Sequence, residues 1–111
     1  MNANNIATIS VQELKQRMDE NPSLCLIDVR ELHEWQSIRI PGAIHIPKDN
    51  LPQRIETLVS DLNQPIYLHC KGGVRSLYAA SCLLEKGYTE IYSVDGGIIE
   101  WAMFGYPVEE K

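Results

Sequence analysis

The chain has 111 residues, 44% of them hydrophobic and 23% charged, with a formal net charge of -5 and a pI near 5.1. That length and mixture suit one globular domain around one core, and the acidic balance argues against nucleic acid or an anionic membrane as the main partner, since both need basic excess. No apolar run approaches the roughly 20 residues that span a bilayer, and the start "MNANNIATIS" lacks a basic n-region and an apolar h-region, so a cytoplasmic protein with no membrane association is expected.

The polar residues 1–5 and the end at 109–111 are expected to be disordered tails on a domain covering 6–108. "IATIS" reads as a short strand. Ser10 followed by Glu13 has the form of a capping box ahead of Val11, Leu14 and Met18, which predicts the first helix. "LCLIDVR", residues 24–30, is apolar on both faces and so suits a central strand of a covered parallel sheet. "ELHEWQS" predicts a short helix. "IRIPGAIHIP" reads as loop, brief strand and loop, because Pro41, Gly42 and Pro47 punctuate it.

Pro52 suits a first helical turn, and Leu51, Ile55, Leu58, Val59 and Leu62 recur at helical spacing. "PIYLHC" is a second buried strand, followed by the apolar helix "SLYAASCLLEKG" with Gly87 placed to end it. "IYSVDGG" gives the last strand, and a short helix around Ile98 and Trp101 precedes a tail rich in Gly and Pro. Alternation of this kind predicts an α/β fold: one open parallel β-sheet of about five strands, right-handed crossovers, and helices on both faces. Ligands of such sheets bind outside the carboxyl ends of the strands, where Cys70 falls.

The window "CKGGVRS" therefore carries the chemistry. If residues 71–75 wrap from the strand into the next helix, their N–H groups can converge on the Cys70 sulfur. Gly72 and Gly73 open backbone angles closed to other residues. The helix N-terminus, with Lys71 and Arg75 near it, favours thiolate over thiol and makes Cys70 a candidate nucleophile. The alternative is a small buried hydrophobe before an ordinary turn; the concentration of Cys, Gly-Gly, Arg and Ser at one strand-to-helix junction favours the functional reading. Cysteine phosphatases and arsenate reductases resemble this loop but separate Cys from Arg by five residues. Here four intervene, "KGGV", which makes a tighter ring suited to one sulfur atom rather than to a phosphate.

At this point the chain resembles the rhodanese family, the thiosulfate sulfurtransferases. "CKGGVRS" matches its active loop Cys-x-x-Gly-x-Arg followed by Ser. "LIDVRELHEW" resembles its Asp-Val-Arg-Glu strand end, "IPGAIHIP" its Ile-Pro-Gly-Ala-x-x-Ile-Pro segment, and "VDGGIIEWAMFGYPV" its closing Asp-Gly-Gly and Trp helix. Arg39 departs from the His that many members carry before that Ile-Pro-Gly. The resemblance implies a single rhodanese-like domain that works without a metal or other cofactor. It also implies a ping-pong cycle, in which Cys70 takes the outer sulfur of thiosulfate or another sulfane-sulfur donor and passes it to a thiol, cyanide or a thioredoxin-like acceptor. Lys71, Gly72, Gly73, Val74, Arg75 and Ser76 then form the substrate and persulfide loop. Arg75 braces it and Lys71 meets the sulfonate. Asp28 and Arg30 border the site in a supporting role, with an ion pair to Arg75 or Glu34 as one form of it.

His69 adjoins the nucleophile but points to the opposite face of its strand, so it is expected to be structural. His33 and His45 are isolated, and no His or Cys cluster has metal-ligand spacing. Cys25 and Cys82 are expected to pack, and Trp35 and Trp101 to serve as core or lid aromatics. Three cysteines are an odd number without scaffold density, so reduced thiols are expected. Besides the enzyme, the same loop suits a persulfide relay that works with a protein donor or acceptor.

Overall fold

A computed structural model describes residues 6–110, in which strands and helices alternate along the chain. β1 (Ala7–Ile9) runs through Ser10 into α1 (Val11–Glu20), where the Glu13 N–H donates to Ser10 Oγ at 3.1 Å. The other half of the expected capping box is absent, because the Glu13 carboxylate turns along the helix to Arg17. β2 (Cys25–Asp28) and α2 (Leu32–Ser37) follow as the sequence implies. Two short strands, β3 (Ile38–Arg39) and β4 (Ile44–His45), then stand where one brief strand was expected.

A 3-10 turn at Lys48–Asn50 leads into α3 (Leu51–Leu58), with Pro52 in its first turn. This helix stops before Leu62. The Val59 N–H closes the last turn on the Ile55 carbonyl at 2.7 Å, and Asp61 Oδ1 then accepts the Asn63 N–H at 2.9 Å, a local turn that competes with helix. β5 (Ile66–His69) and α4 (Val74–Glu85) come next. α4 ends on Gly87, whose φ of 103° permits the left-handed cap that returns its N–H to the Leu84 carbonyl. β6 (Ile91–Val94), α5 (Gly97–Met103) and β7 (Glu109–Glu110) complete the chain.

The main sheet has the order β1-β6-β5-β2-β4 and is parallel throughout, with β5 at its centre. In register, Asp28 of β2 faces His69 of β5. Alternate residues feed two cores. Ile27, Ile66, Leu68 and Cys70 pack against Leu51 and Ile55 of α3 and Ala79, Ala80 and Leu83 of α4, while Leu26, Tyr67 and Val94 pack against Leu14 of α1 and Ile98 and Trp101 of α5. This is the expected α/β architecture, and coverage of both faces explains why β2 and β5 are apolar without interruption.

β7 corrects one expectation. Glu109 and Glu110, assigned to a disordered tail, pair antiparallel with Arg39 and Ile38 of β3, and Arg39 Nε donates to Glu109 Oε1 at 3.2 Å. The remaining tail residues, 1–5 and 111, lie outside the described residues. Among the described residues, no helix is long and apolar enough to cross a membrane.

Candidate active site

Cys70 follows β5 at its carboxyl end and is only 1% exposed. The Gly73 N–H donates to its Sγ at 3.1 Å. Gly73 itself has a φ of 116°, a conformation that side-chain-bearing residues rarely take, and it is what turns the chain back over the sulfur. Lys71 and Gly72 are exposed on the outer side of this turn. Val74 and Arg75, expected in the loop backbone, instead join Ser76 in the first turn of α4, so the loop proper is only three residues long.

Ser76 is buried beneath the sulfur. The Cys70 thiol donates to Ser76 Oγ at 3.6 Å, and the Ser76 hydroxyl donates to the Gly73 carbonyl at 3.1 Å. Ser93 of β6 lies 2.7 Å away, hydroxyl to hydroxyl. A hydroxyl rotates freely about its C–O bond, so Ser76 can turn its proton toward an anionic sulfur while Ser93 keeps it in place. Ser93 was not singled out from sequence; it reaches the site only because β6 lies beside β5.

Arg75 turns away from the sulfur and grips Glu34 of α2. Its Nη1 and Nη2 donate to Oε1 and Oε2 at 2.7 and 2.9 Å, a bidentate pair. The guanidinium hydrogen bonds hold the Glu34 carboxyl down to about 2, and the same bonds raise Arg75. Oε1 also accepts the Glu31 N–H at 2.9 Å as half of a capping box, so one carboxylate both starts α2 and anchors α4.

Asp28 and Arg30 differ from expectation. They pair with each other, fully buried, rather than with Arg75 or Glu34. Arg30 Nε and Nη2 donate to Asp28 Oδ2 at 3.1 and 2.8 Å, and the Arg30 backbone N–H and Nε donate to Oδ1 at 2.9 and 3.0 Å. Two residues of separation at the end of β2 let the side chain curl back on its neighbour. Arg30 Nη2 donates in addition to the Ile38 carbonyl, so the pair ties β2 to β3.

α5 closes the site from the other side. The Ile98 and Ile99 N–H groups donate to the carbonyls of Cys70 and Lys71 at 3.0 and 3.2 Å. Gly97, at φ 55°, makes this possible, because a Cβ there would overlap both carbonyls. Between α2 and α5 runs a groove of about 400 Å³, lined by His33, Ile98, Ile99 and Ala102, with Lys71 and Arg30 at its wall.

His33 is exposed on that groove, and His45 stacks on Trp35 at 5.2 Å with Nε2 2.8 Å from the Arg30 carbonyl. Arg39 lies 4.8 Å over the Trp35 ring. Trp101 is core, its Nε1 donating to the Pro107 carbonyl at 2.7 Å. Burial pushes the Cys25 thiol up, and Cys82 is half-buried. No cluster of three or more metal-ligating side chains occurs among the described residues.

The Rhodanese-like domain family matches residues 10–104. The chain is 36% identical over 100 residues to the putative sulfur carrier protein YrkF of Bacillus subtilis, covering 90% of this chain and 53% of that protein. It is 33% identical over 100 residues to a sulfurtransferase of Allochromatium vinosum, covering 90% and 92%. It thus spans about half of the first relative and nearly all of the second. Among solved structures, the rhodanese-like domain protein of Staphylococcus aureus superposes with a TM-score of 0.82 at 31% identity, over 96% of this chain and 99% of that one. The thiosulfate sulfurtransferase of Pseudomonas aeruginosa gives 0.86 at 25% identity, over 96% of this chain and 21% of that one. With the family model spanning most of the chain and the fold matched almost from end to end, this chain belongs to the rhodanese-like domain family.

Proposed function

We propose that the protein moves sulfane sulfur from thiosulfate to a thiophilic acceptor through a Cys70 persulfide. The observation that carries this reading is the Gly73 N–H held 3.1 Å from Sγ at the carboxyl end of the central strand. The Cys70 thiolate attacks the outer sulfur of thiosulfate, the sulfur–sulfur bond breaks, and sulfite leaves with the electron pair. The new terminal sulfur is anionic, and the Gly73 N–H fixed beside Sγ is a dipole that stabilises charge there without reorganising. A second thiolate or cyanide then attacks that sulfur and returns Cys70 to its starting form. Lys71, exposed beside the loop, meets the sulfonate. Asp28 and Arg30 support the strand end from inside.

Intact mass before and after incubation with thiosulfate tests the reading. A gain of one sulfur atom, reversed by cyanide or a dithiol, is expected; no gain overturns it. A second reading, a persulfide relay between proteins, is favoured by the likeness to a protein named as a sulfur carrier. Faster loading from a persulfidated protein donor than from thiosulfate selects the relay.

A further inference from the structure

His69 is fully buried at the end of β5, and its ring lies between two acceptors. Nδ1 is 3.2 Å from the carbonyl of Cys70, with hydrogen-bond geometry. Nε2 is 3.5 Å from Asp28 Oδ2 and has no hydrogen-bond partner. A neutral imidazole carries one proton for two such neighbours. A carbonyl oxygen only accepts, so the contact at Nδ1 requires the proton there. The competing carboxylate already takes four hydrogen bonds from Arg30, two on each oxygen, which weakens its claim on the proton. Burial, reinforced by Arg30 and opposed by Asp28 and by the hydrogen bond to the Cys70 carbonyl, shifts the ring toward its neutral form, in which the two acceptors compete for one proton.

The Cys70 carbonyl thereby receives two donors, His69 Nδ1 and the Ile98 N–H at 3.0 Å. A peptide unit is planar, and its N–H points opposite to its C=O. Fixing the Cys70 carbonyl toward the His69 ring and α5 therefore fixes the Lys71 N–H in the opposite direction and sets the orientation of the strand end that carries Sγ. We propose that His69 is a positioning residue for sulfur transfer: its Nδ1–H clamps the Cys70 carbonyl, while the Arg30-bound Asp28 leaves Nε2 without a proton. The role of His69 rests on the sulfur-transfer reading, but the tautomer does not.

The first test is ¹⁵N NMR of the histidine rings in the unmodified protein at neutral pH. A ring proton on Nδ1 of His69 is expected, the less common tautomer of free histidine; a proton on Nε2 overturns the proposal. The second test compares His69→Asn with His69→Gln. The asparagine amide can stand where Nδ1 stands and still donate to the Cys70 carbonyl, whereas glutamine reaches only the Nε2 position. The Gln variant is expected to turn over about tenfold more slowly than the Asn variant, the factor that follows from one lost hydrogen bond of about 1.4 kcal/mol. KM for thiosulfate should stay the same in both, because His69 does not touch substrate. Equal rates in the two folded variants overturn the assignment. Alkylation of Cys70 by iodoacetamide, followed on its own peptide, should rank the variants the same way without any sulfur donor. An unmodified protein that fails to turn over thiosulfate therefore counts against the proposed function, while alkylation and the ring proton still decide the role of His69.

Discussion

The Glu34–Arg75 pair joins α2 to the first turn of α4 and, with the α5 amides, is one of the ties outside the main sheet that hold the loop. Glu34→Gln keeps the side-chain shape and an oxygen for the Glu31 N–H, but removes the charge. The Arg75 guanidinium holds the Glu34 carboxyl down to about 2, well below the ordinary glutamate value. This sets an upper limit of about 3 kcal/mol on the charge-dependent stabilisation. The two side chains are 30% and 19% exposed, so solvent screens the pair and about 1–2 kcal/mol is the expected loss. In a domain of this size that corresponds to a fall in Tm of about 5–12 °C.

The pH dependence gives the sharper test. A carboxyl with a depressed folded pKa stabilises fully above its unfolded value and loses that contribution as pH falls toward the folded value. The gap between wild type and Glu34→Gln should therefore be full at pH 7, begin to close below about 4.5 and be mostly closed near 2. Urea denaturation of both proteins across this range measures it, and taking the difference removes the other carboxylates they share. A gap that stays constant from pH 7 to the acid end would show that the loss is one of packing or capping, and the ion-pair argument would fail.

Gly97→Ala should lose at least about 2 kcal/mol in the same denaturation assay, because the left-handed backbone angle and the overlap with two carbonyls both oppose a Cβ; a neutral result would refute the docking of α5 on the Cys70 strand end. Cys70→Ser should keep the melting profile and take up no sulfur by intact mass, and uptake in that variant would move the nucleophile elsewhere. Lys71→Met should raise KM for thiosulfate about two- to fivefold with little change in kcat, and the effect should shrink as salt is added. A fall in kcat at unchanged KM would make Lys71 part of the chemistry rather than of substrate capture.

The order of elements was legible because the physics that sets it is local. "LCLID" and "PIYLH" are apolar at consecutive positions, which only a sheet covered on both faces tolerates, and the helices between them carry their period openly. What was missed is what has no period. A two-residue strand such as β3 or β7 exists only through its partner 70 residues away along the chain, and Glu109 and Glu110 look like a solvated tail until Arg39 is beside them. α4 starts at Val74 rather than Ser76 because of the backbone angle of one glycine, which composition does not reveal.

The site divides along the same line. Cys70, Gly73 and Ser76 are close in sequence and meet in space, so their association could be read directly. Arg75 could be recognised as a brace, but of the partners open to it only the fold selects Glu34, 41 residues upstream. Asp28 and Arg30 looked like charges at the edge of a site, yet burial turns them into a closed pair whose field is largely spent within the sheet. Two of the three cations near Cys70 are thus matched by carboxylates, Arg30 by Asp28 and Arg75 by Glu34, and Lys71 stands exposed at the groove wall. In a chain of net charge -5, this leaves Lys71 as the cation beside the loop with no carboxylate gripping it among the ion pairs described, and the Gly73 N–H as the amide that reaches the sulfur. The charge that matters is therefore set by distance from the sulfur, a quantity that no count of acidic and basic residues contains.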